Sequence, residues 1–467
     1  MSVSQSSELN YTASVAQHSM PRKSLVLPLG SDYVTLDSGS TREFQFELPN
    51  KVYNLHNSTL DFKMSIADTS GLIHRVHTLG QAAINSISIY TREGTYLCDM
   101  PNFDKFSRAV TPYVTKLDDL QQHAHSRGAA TQAAADTQSK GYNSFKSNAL
   151  ASATPGVALG ANSTRISAAG AVEAPEDSIT GLTHFVQGTV GNGAGAGDVY
   201  FNYSIPLSEI HHSLCSVDRV MYFGQSLMCR VRFNSTKELG FDGSSATVLS
   251  DDLAPLTAAV NVTKVRIYLA VETNRRITEG LVQRVQSQGL QVIMPYTYAY
   301  KYSSTASTNS SVQQRLNAGF GQRLLHAVHA NFNPISTNGD LTKDISNKGD
   351  VKMVSYQTQL DNENLQEFVP LCAQSEDYEL HRQLLDGSCV QSVDAYKANH
   401  IIVDSWRKGR MCDWKSMDGN EIDGLELTSE RIWNINMTTP SVALDQYSWF
   451  VVQRTLSINP SGIISVS

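Results

Sequence analysis

Apolar and polar side chains alternate at every second position through most of this chain. In "LMCRVRF", Leu227, Cys229, Val231 and Phe233 fall in one phase and Met228, Arg230 and Arg232 in the other. "FQFEL" does the same with Phe44, Phe46 and Leu48, and "DFKMSI" with Phe62, Met64 and Ile66. The pattern recurs in "DVYFNYSIPL" (Val199, Phe201, Tyr203, Ile205), "VRIYLAV" (Val265, Ile267, Leu269, Val271), "MPYTYAYKY" (Tyr296, Tyr298, Tyr300, Tyr302), "RIWNINM" (Trp433, Ile435, Met437) and "QYSWFVVQRTLSI". An extended chain turns successive side chains to opposite faces, whereas a helix returns to the same face every 3.6 residues. These segments are therefore predicted as strands with one face on a core, and the fold class is all-β.

Helical patterns are few. "NFDKFSRAVTPYVTKLDDLQQHAHS" (102–126) reads as helical on either side of Pro112, and "SEDYELHRQLLDG" (375–387) as a helix with Ser375 as N-cap and Gly387 as stop. "TEGLVQRVQSQG" (278–289) is a short helix or an extended link. Residues 127–197 are rich in Ala, Gly, Ser and Thr, with too few large apolar side chains to bury a core, and read as a long inserted loop. Its "GNGAGAG" run lacks the GxGxxG spacing and leads into a strand where a dinucleotide fingerprint needs a helix.

With that insertion set aside, the chain divides into two strand-rich halves. A flexible N-terminal arm is expected over 1–24, a first unit over 25–275 that carries the insertion, a linker over 276–290 and a second unit over 291–467. About eight strands per half, without strand–helix–strand alternation, fits two consecutive antiparallel β-sandwiches of jelly-roll type.

Charge narrows the function. Lys and Arg number 37 against 44 Asp and Glu, for a net charge of −7, which argues against a nucleic-acid-coating protein. Basic clusters are small: Arg22-Lys23, Arg275-Arg276, and Arg407-Lys408-Gly409-Arg410 beside Trp406 and Trp414. Charged residues make up 17%, a weakly charged polar surface suited to subunit contacts. The first residues lack the apolar core of a secretory signal, and no apolar run is long enough for a membrane-spanning helix. Six cysteines (Cys98, Cys215, Cys229, Cys372, Cys389, Cys412) with no CxxC are too sparse for a disulfide scaffold, so folding inside a cell is expected. Sequons such as those at Asn57 and Asn436 carry meaning only for a secreted chain.

One stretch invites a metal reading. "YFNYSIPLSEIHHSLCSVDRVMYFGQSLMCRVRF" (200–233) holds His211, His212, Cys215 and Cys229. Cys229 is in phase with Leu227, Val231 and Phe233 and so belongs to a buried strand face, where free cysteine is common. His211, His212 and Cys215 lie beyond Pro206 in a turn with no fixed geometry to bring Cys229 to them. His326 and His329 sit three apart on a predicted strand, hence on opposite faces. Asp118-Asp119 and Asp251-Asp252 point apart in extended chain, and "DGNEIDG" lacks ligands at alternate positions. Neither catalytic, cofactor-binding nor metal residues are assigned, and no cofactor is expected.

The order of the segments carries a resemblance. "NKVYNLHNSTLDFKMSI", "INSISIYTREGTYLCDMPNFDKF", "YFNYSIPLSEIHHSLC", "QSLMCRVRF" and "VRIYLAVE" resemble, in succession, the first jelly roll of the double jelly-roll major capsid proteins of the adenovirus and tectivirus-like lineage, including polinton-like viruses and virophages. Ile205-Pro206-Leu207-Ser208, then a loop, then Leu227 to Phe233 match an order found in that family. "RLLHAVHANFNP", "LQEFVPLCAQSEDYELHRQLL", "HIIVDSW" and "GLELTSERIWNINMTTP…QYSWFVVQRTLSINPSGI" are similar to stations of the second jelly roll. The resemblance covers about residues 25–465 outside the insertion. It implies a non-enzymatic virion protein of a DNA virus: a homotrimer with a pseudo-hexagonal outline that tiles an icosahedral shell beside penton and minor capsid proteins, with no sequence-specific nucleic-acid binding. Long loops such as 127–197 would rise as towers or clasp a neighbour, and the arm would face inward. Two other readings compete: a viral penton, spike or receptor-binding β-protein, and a jelly-roll enzyme of cupin or glycosidase type. A cupin would need two or more histidines and a carboxylate converging inside one barrel.

Overall fold

Leu227, Cys229, Val231 and Phe233 are all buried and the three residues between them only half-buried, so the alternation in this strand is translated directly into two faces. The computed structural model describes residues 22–39, 41–66, 73–77, 80–114, 183–187, 199–242, 254–256, 259–316, 322–332, 354–371, 377, 400–407 and 424–467. The arm before Arg22, the insertion apart from 183–187, the helical pattern beyond Val114 and the one at 375–387 apart from Asp377 lie outside the described residues.

Eight principal strands build the first half: β1 (Arg22–Val26), β2 (Arg42–Leu48), β3 (Tyr53–Ile66), β4 (Ile84–Thr91), β5 (Tyr96–Pro101), β6 (Val199–Pro206), β7 (Leu227–Phe233) and β8 (Val260–Val271). They pair antiparallel in two sheets, β1-β8-β3-β6 and β2-β7-β4-β5. Lettered B to I in chain order, the sheets read BIDG and CHEF, the double Greek key of a jelly roll. Aromatic side chains join the sheets. The Phe62 ring meets Phe233 of the opposite sheet edge-on at 5.1 Å, Phe233 meets Phe44 at 5.6 Å, and Tyr203 packs on Phe62 at 5.0 Å. Each such pair contributes about 0.5–1.5 kcal/mol beyond the area it buries.

The alternation in β8 changes phase partway. Val260 and Val262 are buried at even positions, but Val265, Ile267 and Leu269 at odd ones. Between them the register with β3 shifts from Thr263 to Arg266, and Lys264 takes a left-handed φ of 55°. One extra residue in a bulge turns the strand by one position, so both apolar sets face the same core.

A smaller four-stranded sheet pairs Ile73–His77, Thr183–Gln187, Gly240–Asp242 and Ala254–Pro255, gathering strands from three different connections of the first jelly roll. Thr183–Gln187 lies inside the segment expected as a loop. Its partner, Ile73–His77, is about 110 residues away, and a five-residue strand owes its existence to such a partner rather than to local pattern.

Helix α1 (Phe103–Val114) follows β5 and runs two residues past Pro112, and α2 (Arg275–Gln288) leads from β8 to the second half. There the principal strands are β9 (Leu290–Leu316), β10 (Arg323–Phe332), β11 (Ser355–Leu360), β12 (Glu363–Asn364), β13 (Ile402–Ser405) and β14 (Arg431–Ile458). β9 and β14 pair from Leu290↔Ile458 to Leu316↔Arg431, with register shifts between Ser304 and Asn309. Each long strand serves two sheets. Residues 309–316 of β9 and 431–438 of β14 belong with β11 and β12, and residues 290–304 of β9 and 444–458 of β14 with β10 and β13. Counting each as two strands restores the orders BIDG and CHEF. "RIWNINM" and "QYSWFVVQRTLSI", which read as two strands, are thus the two parts of one continuous β14.

Because Lys264 pays a steric penalty of about 1 kcal/mol for its left-handed backbone, Lys264→Gly is expected to stabilise and Lys264→Val to destabilise, each by about 1 kcal/mol. Thermal unfolding midpoints shifted in opposite directions would support this, and identical midpoints would refute it.

Candidate functional site

The residues with chemical potential collect where the two halves meet. From the first half come α1, β5 and the short 3₁₀ turns Leu207–Glu209 and Leu214–Ser216; from the second come β9, β10 and β14. Phe106 of α1 packs edge-on against Trp449 of β14 at 5.4 Å, and Trp449 stacks on Tyr447 at 5.8 Å. The Thr297 hydroxyl donates to the His212 carbonyl at 3.0 Å, and the Gln225 amide to the Gly462 carbonyl at 3.2 Å. Gly224 and Gly462 meet backbone to backbone: a Cβ on Gly224 would stand 3.0 Å from the Gly462 Cα. Both have positive φ, 73° and 81°, so this approach depends on two residues without side chains.

Lys105 of α1 is a buried cation at this junction. Its Nζ lies 3.0 Å from Asp104 Oδ2 and 3.1 Å from Glu238 Oε2, and 5.9 Å from the Phe332 ring centroid of the second half. Asp104 is 1% exposed, so its charge depends on lysine for compensation.

The histidines and cysteines of 200–233 part company here. Cys98 on β5, Cys215 and Cys229 on β7 belong to the buried first-half core. A hydrogen bond with Cys215, then burial, pushes the Cys98 thiol well up, and burial pushes Cys229 up to about 12. Such groups remain thiols at neutral pH, unsuited to metal binding or attack. His212 points instead to the junction, with its ring 6.0 Å from Phe106, 6.1 Å from His326 and 6.5 Å from His211. His211 faces Glu209 at 3.6 Å. The turn that carries them is buried and pinned by Ser213, whose Oγ accepts the Cys215 N–H and donates to the Ile210 carbonyl. Among the described residues no three His, Cys, Asp or Glu side chains are placed to hold a metal ion.

His326 and His329 diverge as their spacing predicts: one faces His212 across the junction, the other enters the second core beside Trp433. His329 makes the arrangement that most resembles catalytic machinery. Its Nδ1 is 2.9 Å from Ser448 Oγ and its Nε2 2.9 Å from Asn331 Oδ1, the order of a nucleophile, base and orienting group. All three are buried, His329 completely, with the Trp433 ring 6.1 Å away. A serine sealed in a core meets no substrate, and the trio instead satisfies buried polar atoms. Asp404 plays a similar part, accepting from Thr358 Oγ1 at 2.9 Å, Gln366 Nε2 at 3.1 Å and Trp433 Nε1 at 3.0 Å. Asp377 accepts from the Tyr356 hydroxyl at 2.9 Å and pairs with His400 at 2.8 Å. Asp118-Asp119, Asp251-Asp252, Cys372, Cys389, Cys412, Lys408 to Arg410, and "DGNEIDG" before Gly424 lie outside the described residues.

The surface carries two apolar rows. Leu25, Leu27, Leu29 and Tyr33 are 48–59% exposed on and just after β1, an edge strand. Val354, Phe368, Val369 and Leu371 are about half exposed beside β11, where Ser355 bridges to Leu371. Residues grouped like this mark contact surfaces more often than singly exposed ones do. No site assignment from the sequence included them, although "RKSLVLPLG" displays three leucines in one phase directly after two cations.

No protein-family model matches the chain, and no curated protein matches it in sequence. Among solved structures it is similar to VP54 of PBCV-1, known from a crystal structure fitted into a cryo-EM reconstruction of the virophage Sputnik, with a TM-score of 0.52, 9% identity and 96% of each chain covered. It is also similar to a chain in a quasi-atomic model of the PBCV-1 virus capsid, with a TM-score of 0.51, 9% identity and the same coverage. The class is therefore defined: an all-β chain of two consecutive jelly rolls, sharing its fold along nearly its whole length with these two chains.

Two outcomes follow from the junction chemistry. Lys105→Ala should cost about 3–5 kcal/mol by leaving Asp104 buried and unpaired, and a change in unfolding free energy below about 1 kcal/mol would contradict it. Burial first, then neighbouring cationic groups including Arg407, holds His212 well below its ordinary range and His326 at about 3; burial sets His329 at about 4. Their folded-state values lie below the unfolded value near 6.5, so the unfolded chain binds more protons in acid. Stability should be complete above about pH 6.5 and fall toward pH 4 by up to about 1.4 kcal/mol per pH unit for each histidine. Denaturation midpoints measured across that range should fall less steeply for His326→Gln.

Proposed function

We propose that this chain is the major capsid protein of an icosahedral DNA virus. Three copies would close into a trimer, whose six jelly rolls present a pseudo-hexagonal outline and tile a shell. The observation that carries this reading is the fold shared over 96% of both chains with PBCV-1 VP54, together with the same BIDG and CHEF strand orders in each half. Two similar blocks per chain in a closed threefold ring give near-sixfold packing from one gene product. The division at residues 276–290 would separate the blocks, and the polar segment before Arg22 would form an inward arm.

The reading makes the protein structural rather than enzymatic. The best nucleophile–base arrangement, Ser448 with His329 and Asn331, is consumed in packing, and His326 and His329 face opposite ways, unlike the converging ligands of a cupin. A penton or spike would be favoured by one sandwich bearing a projecting domain, whereas two sandwiches favour the shell block. Its partners would be copies of itself and the penton and minor capsid proteins, its place the virion, and its site of assembly the interior of the host cell. Sequence-specific binding of nucleic acid forms no part of this role.

Light scattering on the purified protein should give three times the 51.2 kDa chain mass, and negative-stain images should show hexagonal outlines. A monomer binding stoichiometric zinc or iron would overturn the reading.

A further inference from the structure

A cleft of about 750 Å3 opens where β1, the turn between β2 and β3, and the start of α2 come together. Its wall carries three cations, Arg22, Lys23 and Lys51, none of which forms an ion pair among the described residues. Glu272 is the single carboxylate among the described lining residues; it is buried, and its Oε1 is engaged by the Asn274 backbone N–H at 2.7 Å. Directly after the lining residue Thr273 and the capping Asn274, α2 opens with Arg275 and Arg276 and has no acidic residue in its first turn; Arg275 pairs with Glu279. Such a cluster of like charge on a chain of net charge −7 is repulsive unless an anion neutralises it.

The same place is apolar. Lys23, Leu25 and Leu27 occupy alternate positions and so share a face, opposite the buried Val26, and Leu29 follows at a bend just past the bridge from Pro28 to Phe46. The leucines are 48%, 55% and 59% exposed, and Leu25 joins Val52 and Val271 in the cleft. Leucines displayed beside unpaired cations match the two layers of a lipid surface, where anionic phosphates lie above the acyl chains. A nucleic acid would satisfy the cations but leave the leucines in water. A free phosphate would leave most of the cleft unfilled.

We propose that this face binds the surface of an anionic phospholipid layer, with the headgroup phosphate in the cleft against Arg22, Lys23 and Lys51 and with Leu25, Leu27 and Leu29 entering the outermost acyl region. This surface is separate from the shell reading and does not rest on it.

Flotation of the full-length protein with phosphatidylcholine–phosphatidylserine vesicles, against pure phosphatidylcholine vesicles, tests it. Capture by the mixed vesicles alone is expected. Lys23→Gln combined with Lys51→Gln should weaken it about 25-fold, at about five-fold per cation near an anionic surface. Leu25→Ser with Leu27→Ser should weaken it as well while circular dichroism remains that of the parent. These side chains are exposed, so both variants are expected to fold. Equal capture by both vesicle types, or undiminished capture of either variant, overturns the proposal. So does binding of inorganic phosphate or duplex DNA without capture of vesicles. Hexagonal trimers that ignore vesicles would remove the lipid surface and leave the shell reading standing.

Discussion

Neither jelly roll closes until its last strand arrives. β8 lies between β1 and β3, and the last part of β14 between β9 and β10, so each closing strand supplies ladder bonds to both neighbours. In the first half the partners Arg22 and Val271 are about 250 residues apart. Bringing such ends together costs entropy before any contact repays it, and topologies of this kind fold slowly. The same logarithmic dependence explains how the chain tolerates its long Ala- and Gly-rich segment. Doubling a connection adds only about 0.6 kcal/mol, so the stretch between β5 and β6 can be lengthened while the eight-strand pattern stays closed.

The interior spends its chemically capable groups on cohesion. Cys98, Cys215 and Cys229 behave as small buried side chains, and the thiols of Cys98 and Cys229 are raised. His212 and His326 meet at the junction in their neutral form, and His329 joins Ser448 and Asn331 in satisfying buried polar atoms. The contact of Lys105 with the Phe332 ring and the close approach of Gly224 to Gly462 join the halves. A chain whose interior is committed in this way has its surface left for function.

Much of this was legible in the alternation itself. Phe44, Phe46 and Leu48, and Leu227, Cys229, Val231 and Phe233, were placed on buried faces from spacing alone. Residues 303–316 were not legible: "SSTASTNSSVQQRL" has almost no apolar signal and becomes strand because the first part of β14 lies alongside it. Thr183–Gln187 escaped for a related reason, since its partner is far away in sequence. The phase change at Lys264 was hidden because a bulge is a backbone event, and two in-phase segments look alike whether or not they share a face. The turn holding His211 and His212 was recognised as a turn, but its burial came from the second half packing over it.

The sequence by itself determined that the chain would be all-β, in two strand-rich halves, because period-two alternation is a property of neighbouring residues and survives without any partner. Only the tertiary structure decided which strands became neighbours, that β9 and β14 would each run through two sheets, and that the histidines would face one another across the junction while the cysteines stayed in the first core. It also decided that Arg22, Lys23, Leu25 and Lys51 would line one cleft. Each of these depends on contacts between residues tens to hundreds of positions apart, and such contacts are set by the closing of sheets and the packing of faces, which local pattern does not encode.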